Sequence, residues 1–188
     1  MIPLKRITLL LSILVTFTAT GFAQKFCTAP PPSPYKHSAL IVTTFDPPTG
    51  RLKTTLEHPR SLGGGVYLYA SFFYQDRRLR SIPTIDISFV APSKKPKYRD
   101  SHDLSIFADN VPSPAVGATQ YSTASAEHGL TVEKIKITLT YTELVALIRA
   151  RRVTARLGGN EFELTENHLE SLREIASLMA PPANVARR

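Results

Sequence analysis

The sequence predicts a mainly β, α+β domain: an antiparallel β-sandwich or half-barrel with a C-terminal helix–β-hairpin–helix cover. Three observations predict it. Short segments that alternate apolar and polar residues recur between Pro- and Gly-rich turns, the pattern of strands with one buried face. The stretch Thr131–Met179 reads as strand, short helix, hairpin and helix, in that order. One cysteine, Cys27, leaves no internal disulfide, so the core alone must hold the fold.

The chain opens MIPLKRITLLLSILVTFTATGFAQ. Lys5 and Arg6 precede an apolar run, and Gly21-Phe22-Ala23 places small residues at −3 and −1 of a cleavage site, predicting a signal peptide over 1–23 and a mature start at Gln24. The run is broken by Thr16, Thr18 and Thr20 and is shorter than the roughly 20 residues of a spanning helix. The residues before Cys27 are unlike those of a lipoprotein. The expected location is therefore secreted or periplasmic. Loss of Lys5 and Arg6 lowers the formal charge from +8 by two, leaving a moderately basic chain. Such a chain favours anionic surfaces, among them an envelope polymer or a lipid surface, and export makes nucleic acid an unexpected partner.

Residues 24–37 read as a Pro-rich tether, because Pro30, Pro31, Pro32 and Pro34 favour extended polyproline geometry. The domain spans 38–180, with a disordered tail over 181–188. SALIVTTF and RLKTTLEH form a hairpin around Asp46-Pro47-Pro48-Thr49-Gly50. Ser61-Leu62-Gly63-Gly64-Gly65 reads as a loop; no Gly-Lys-Ser/Thr follows, so it is not a phosphate loop. VYLYASFFYQ is the most hydrophobic mature segment, with Val66, Leu68, Ala70, Phe72 and Tyr74 on one face and Tyr67, Tyr69, Ser71 and Phe73 on the other. It should be a central strand, covered fully on one side and partly on the other. SIPTIDISFV places Ile85, Ile87 and Phe89 inward, with Pro83 near its start. A polar, basic loop over Ala91–Asp103 precedes the strand in DLSIFADN, a VPSPAVG connector, a strand over Ala118–Ser125 and a turn at Glu127-His128-Gly129.

In TVEKIKITLTY, Ile135, Ile137, Leu139 and Tyr141 alternate with Lys134, Lys136, Thr138 and Thr140. TELVALIRA has helical spacing, with Thr140 or Thr142 as its cap and Glu143 at its positive end. VTARLGGNEFEL folds back at Gly158-Gly159-Asn160. Leu169, Leu172, Ile175, Ala176 and Met179 then line one side of a helix stopped by Pro181-Pro182.

No residue stands out as catalytic, and no cofactor is expected. Asp100, His102 and Asp103 are the best metal candidates, since imidazole and carboxylates suit a divalent ion, although three ligands on one loop rarely complete a site. His58, His102, His128 and His168 lack a nucleophile elbow, and His58 and His168 read as surface positions. Glu161 and Glu163 should face Arg152, Thr154 and Arg156 across the hairpin rather than line a cleft. Basic residues cluster as Arg77-Arg78-Arg80, as Lys94-Lys95-Lys97-Arg99 and as Arg149-Arg151-Arg152-Arg156. Arg77, Arg78, Arg80, Lys94, Lys95, Lys97, Tyr98 and Arg99 are the candidate binding residues, a basic and Tyr-edged surface for an anionic polymer. The expectation is a non-enzymatic exported binding or structural module, with a small hydrolase built from scattered His and carboxylates as the alternative. Another envelope protein, or a second copy joined through Cys27 or a sheet edge, completes the expected partners.

Overall fold

The computed structural model describes residues 33–75, 84–114 and 116–180. The expected leader and tail lie outside the described residues, as do Cys27, Arg77, Arg78, Arg80 and Pro83.

Among the described residues eleven strands and two α-helices follow in order: β1 (Leu40–Asp46), β2 (Arg51–Glu57), β3 (Ser61–Gly63), β4 (Val66–Tyr74), β5 (Thr84–Ser93), β6 (Leu104–Ala108), β7 (Val111–Ser113), β8 (Val116–Ser125), β9 (Thr131–Thr140), α1 (Tyr141–Arg149), β10 (Val153–Leu157), β11 (Asn160–Glu163) and α2 (Glu166–Met179). A large antiparallel sheet runs β1-β2-β4-β5-β9-β8, with β3 added beside β4; a small one runs β11-β10-β6-β7. The fold is mainly β, with two open antiparallel sheets and a C-terminal helix, as the alternation predicts.

The central strands of the large sheet bury their apolar side chains on one parity. Leu56, Val66, Leu68, Ala70, Phe72, Ile85, Ile87, Phe89, Ile135, Ile137 and Leu139 form one core with Leu144, Leu147 and Ile148 of α1 and Leu169, Leu172, Ile175, Ala176 and Met179 of α2. Ile106, Val153, Ala155, Leu157 and Phe162 of the small sheet join the same core. Thr140 caps α1 as its residue type predicts: its hydroxyl accepts from the Glu143 N–H at 3.2 Å, and its own N–H donates to the Glu143 carboxylate at 2.6 Å. No described helix is long and apolar enough to cross a membrane.

Four expectations are corrected. The glycine run is not wholly loop: Ser61 and Gly63 pair with Tyr67 and Val66 as a short bulged strand. Its reversal uses Gly63, Gly64 and Gly65, all at positive φ, a backbone that L side chains strain to adopt. The basic loop starts later than Ala91, because β5 continues through Pro92 and Ser93 against Val132 and Thr131 of β9. The pairing of β4 with β5 ends at Val90, so at Pro92 β5 has a strand on one side only, a position where a missing donor is tolerated. The VPSPAVG connector contains β7, which pairs with β6. The tether's end is docked rather than free: the Lys36 N–H donates to Glu170 at 3.2 Å, His37 bonds Glu174, and Ser38 bonds Asn167 at 3.3 Å.

The C-terminal hairpin is also less self-contained than its sequence suggests. Thr154, Ala155 and Arg156 of β10 pair with Phe107, Ile106 and Ser105 of β6, so the cover recruits a strand from the middle of the chain. The Gly158 turn closes against that region. Its φ is +56°, and a Cβ there would stand 2.6 Å from the Ser101 carbonyl oxygen.

Candidate functional site

The candidate loop is built around a buried carboxylate. Glu133 has the inward parity of Ile135 and Ile137 and is 0 % exposed. It accepts the Lys97 N–H at 2.7 Å, the Tyr98 N–H at 2.9 Å and the Tyr121 hydroxyl at 2.9 Å. Three donors replace the water that a buried carboxylate loses. This anchor corrects the reading of Tyr98 as a surface residue: with its amide held at Glu133, its ring turns into the core and is 4 % exposed. Lys94, Lys95, Lys97 and Arg99 remain exposed around it. Burial, then the bond to Glu133, pushes the Tyr121 phenol up, with Arg99 opposing.

Asp100, His102 and Asp103 do not gather. His102 stacks on Tyr121, ring centroids 4.8 Å apart, and its Nδ1 lies 3.1 Å from the Arg99 carbonyl. Among the described residues no group of three or more His, Cys, Asp or Glu side chains is placed to hold a metal ion.

His168 is not on the surface; it is 3 % exposed. Its Nδ1 accepts the Thr165 N–H at 3.1 Å, which leaves Nε2–H to donate to the Arg60 carbonyl at 3.2 Å. The ring thus caps α2 in its neutral form, and burial lowers its pKa below the ordinary 6.5. The unfolded chain therefore takes up this proton first as the pH falls. The stability contributed is complete above about pH 6.5 and is lost as the pH drops towards the folded value. Thermal melting should show part of the decline between pH 7 and 5 disappearing in His168→Gln, whose amide oxygen can still accept the Thr165 N–H. An identical pH profile in the variant would contradict this role.

His37 bonds Glu174, and its buried Nδ1 has no hydrogen-bond partner among the described residues. Glu161 and Glu163 face arginines as expected: Arg156 is 3.2 Å from Glu161, and Arg152 is 3.0 Å from Glu163. A surface cavity of about 330 Å³ between α1 and α2 is lined by Tyr35, Tyr141, Arg149 and Arg173. The Arg173 guanidinium is already committed to Glu166, Glu170 and the Ile148 carbonyl.

The face of the large sheet opposite the core has a different character. The register sets Tyr67 beside Val90 and Val90 beside Lys134; it sets Tyr69 beside Ser88 and Ser88 beside Lys136. Two tyrosines and two lysines thus flank a floor of small residues, roughly 10 Å apart as two interstrand spacings. Ser88 is buried beneath these taller neighbours although no described helix covers it. Phe73 extends the aromatic wall, with the Lys53 ammonium 5.6 Å from its ring centre. Asp86, at one end of the trough, takes Lys136 at 2.9 Å and the Thr138 hydroxyl at 2.7 Å. Lys134 has no carboxylate within ion-pair distance among the described residues, and burial, then Lys53 and Lys136, lowers its pKa.

Sequence reading finds the parity of these side chains but not their assembly, because β4, β5 and β9 become neighbours only through the sheet order. Compared with known proteins, the chain matches no family model, no curated protein and no solved structure. What the fold and the site define is a β-rich domain with a built core on one sheet face and an aromatic, cationic trough on the other.

Proposed function

We propose that the protein is an exported, non-enzymatic binding module that holds an anionic polysaccharide of the cell envelope in the trough over β5. The observation that carries the reading is the pairing of an aromatic wall, Tyr67 and Tyr69, with a lysine wall, Lys134 and Lys136, across the low floor of Ser88 and Val90. Flat aromatic rings present the apolar area that sugar faces cover, and the lysines supply positive charge at a spacing of one strand repeat. Lys136 is paired with Asp86, and Lys134, which faces the repulsion of Lys53 and Lys136 without an ion-pair partner among the described residues, gains most from an incoming anion. The exposed Lys94, Lys95, Lys97 and Arg99 add a positive field that raises the encounter rate without gripping the chain.

The test is binding to polygalacturonate, with neutral dextran as control, by calorimetry at increasing salt. Polygalacturonate should bind and dextran should not, and the affinity should fall steeply with salt because surface charges are screened. Lys134→Glu should weaken binding about tenfold or more, and Tyr69→Ala should weaken it without changing the salt slope. Binding that ignores salt, or is undiminished in Lys134→Glu, would contradict the reading.

A further inference from the structure

The large sheet ends in β1 on one side and β8 on the other. Sheet edges that must stay single are blunted by shortness, proline, charge or bulges. Four of the five described edge strands carry such devices, β3 being three residues long with a bulge. The register of β8 shifts between Val116 and Gln120. β7 has three residues, one of them Pro112, and β11 has four, including Glu161 and Glu163. β1 carries none of these. Its seven residues, LIVTTFD, pair with β2 without a break from Leu40 to Asp46, and charge enters only at the last position. Leu40 is 50 % exposed and Phe45 62 %, both among the exposed large hydrophobic side chains.

We infer that β1 is the contact of a two-fold dimer in which two copies join β1 to β1, antiparallel, into one continuous sheet. The strand's own sequence fixes the register. Directly opposed residues share a face, so the sum of their numbers must be even for the sheet to continue. Of the even registers, only the one centred on Thr43 pairs all seven residues. It sets Thr43 against Thr43, Val42 against Thr44, Ile41 against Phe45 and Leu40 against Asp46. Phe45 is then covered by the partner's Ile41, and no like charges meet. A charge-poor, β-branched strand that opposes itself without conflict fits a second copy better than it fits an unrelated peptide. The two-fold axis stands perpendicular to the sheet, so both troughs face the same way. Resting on the polysaccharide reading, this gives one long polymer two sites and hence avidity.

The experiment is sedimentation of the full mature chain carrying Cys27→Ser, without polymer, over a range of concentrations. The mass should rise from monomer to dimer and stop there. Thr43→Lys sets two ammoniums face to face at the axis, and Phe45→Lys removes the apolar contact. Each should weaken dimerisation about tenfold or more. Phe45→Lys, at an exposed side chain, should leave the melting temperature of the dilute monomer unchanged, whereas Thr43→Lys also removes the bond from the Thr43 hydroxyl to the buried Thr54 hydroxyl and should lower it. Thr43→Cys in the same background should be joined by a short bis-maleimide, whereas Thr123→Cys on β8 should not. A monomer at all soluble concentrations, growth beyond the dimer, linkage at position 123 instead of 43, or a dimer indifferent to Thr43→Lys and Phe45→Lys would overturn the inference. The polymer-binding test is read separately, so either proposal can fail alone.

Discussion

A chain ended after Gly158 should not fold. The truncation removes Phe162 and Leu164 together with the whole buried side of α2: Leu169, Leu172, Ile175, Ala176 and Met179. Each large apolar side chain contributes about 1.5–3 kcal/mol when fully buried. Their sum is on the order of 10 kcal/mol, comparable with the roughly 5–15 kcal/mol by which a domain is stable at all. The loss is not confined to one end. Leu68 and Phe72 of β4, the strand that α2 meets, belong to the same core and would meet water on the face that α2 closes. Circular dichroism should show no cooperative melting transition in the truncated chain. A cooperative melt at the full-length temperature would mean that the large sheet is stable without its cover.

Glu133→Gln should be the most damaging single isosteric change. The carboxylate offers acceptors to three donors, two of them backbone N–H groups fixed by the loop. An amide keeps one oxygen and turns an NH₂ group towards a donor, leaving a buried N–H unsatisfied. Such a defect costs about 1–3 kcal/mol, more when a charge-assisted bond is lost, and about 3 kcal/mol lowers the melting temperature of a domain this size by roughly 6–12 °C. The damage should centre on the loop: the amides of Lys97 and Tyr98 should lose protection from hydrogen exchange, and the Tyr98 ring should leave the core. Binding of polygalacturonate below the melting temperature should persist, since the trough lies on the opposite face. An unchanged melting temperature would show that the carboxylate is not the loop's anchor.

Much of the fold was legible because it depends on local alternation. Ile135, Ile137 and Leu139 fixed the buried side of β9, and Thr140 with Glu143 fixed the start of α1. What alternation cannot give is which strands become neighbours. The union of β6 with β10, and the setting of Tyr69 across Ser88 from Lys136, follow from sheet order alone. Glu133 was within reach of the sequence, since it shares the parity of Ile135, and a carboxylate on the apolar side of a strand demands donors. The basic loop is a second case of a contact that only the fold reveals. Its lysines are conspicuous in the sequence, but the structural content of that segment is the pair of backbone N–H groups that Glu133 holds. His168 was misplaced because its position in the first turn of a helix does not reveal that the loop at Arg60 covers it.

The most direct test of the central claim, that the sheet face opposite the core is the working surface, is nuclear magnetic resonance of the labelled domain titrated with a short oligogalacturonate. The largest shift changes should fall on Tyr67, Tyr69, Ser88, Val90, Lys134 and Lys136, and should fade as salt is added. Changes confined to Lys94–Arg99 or to the cavity between α1 and α2, with the trough silent, would contradict the account.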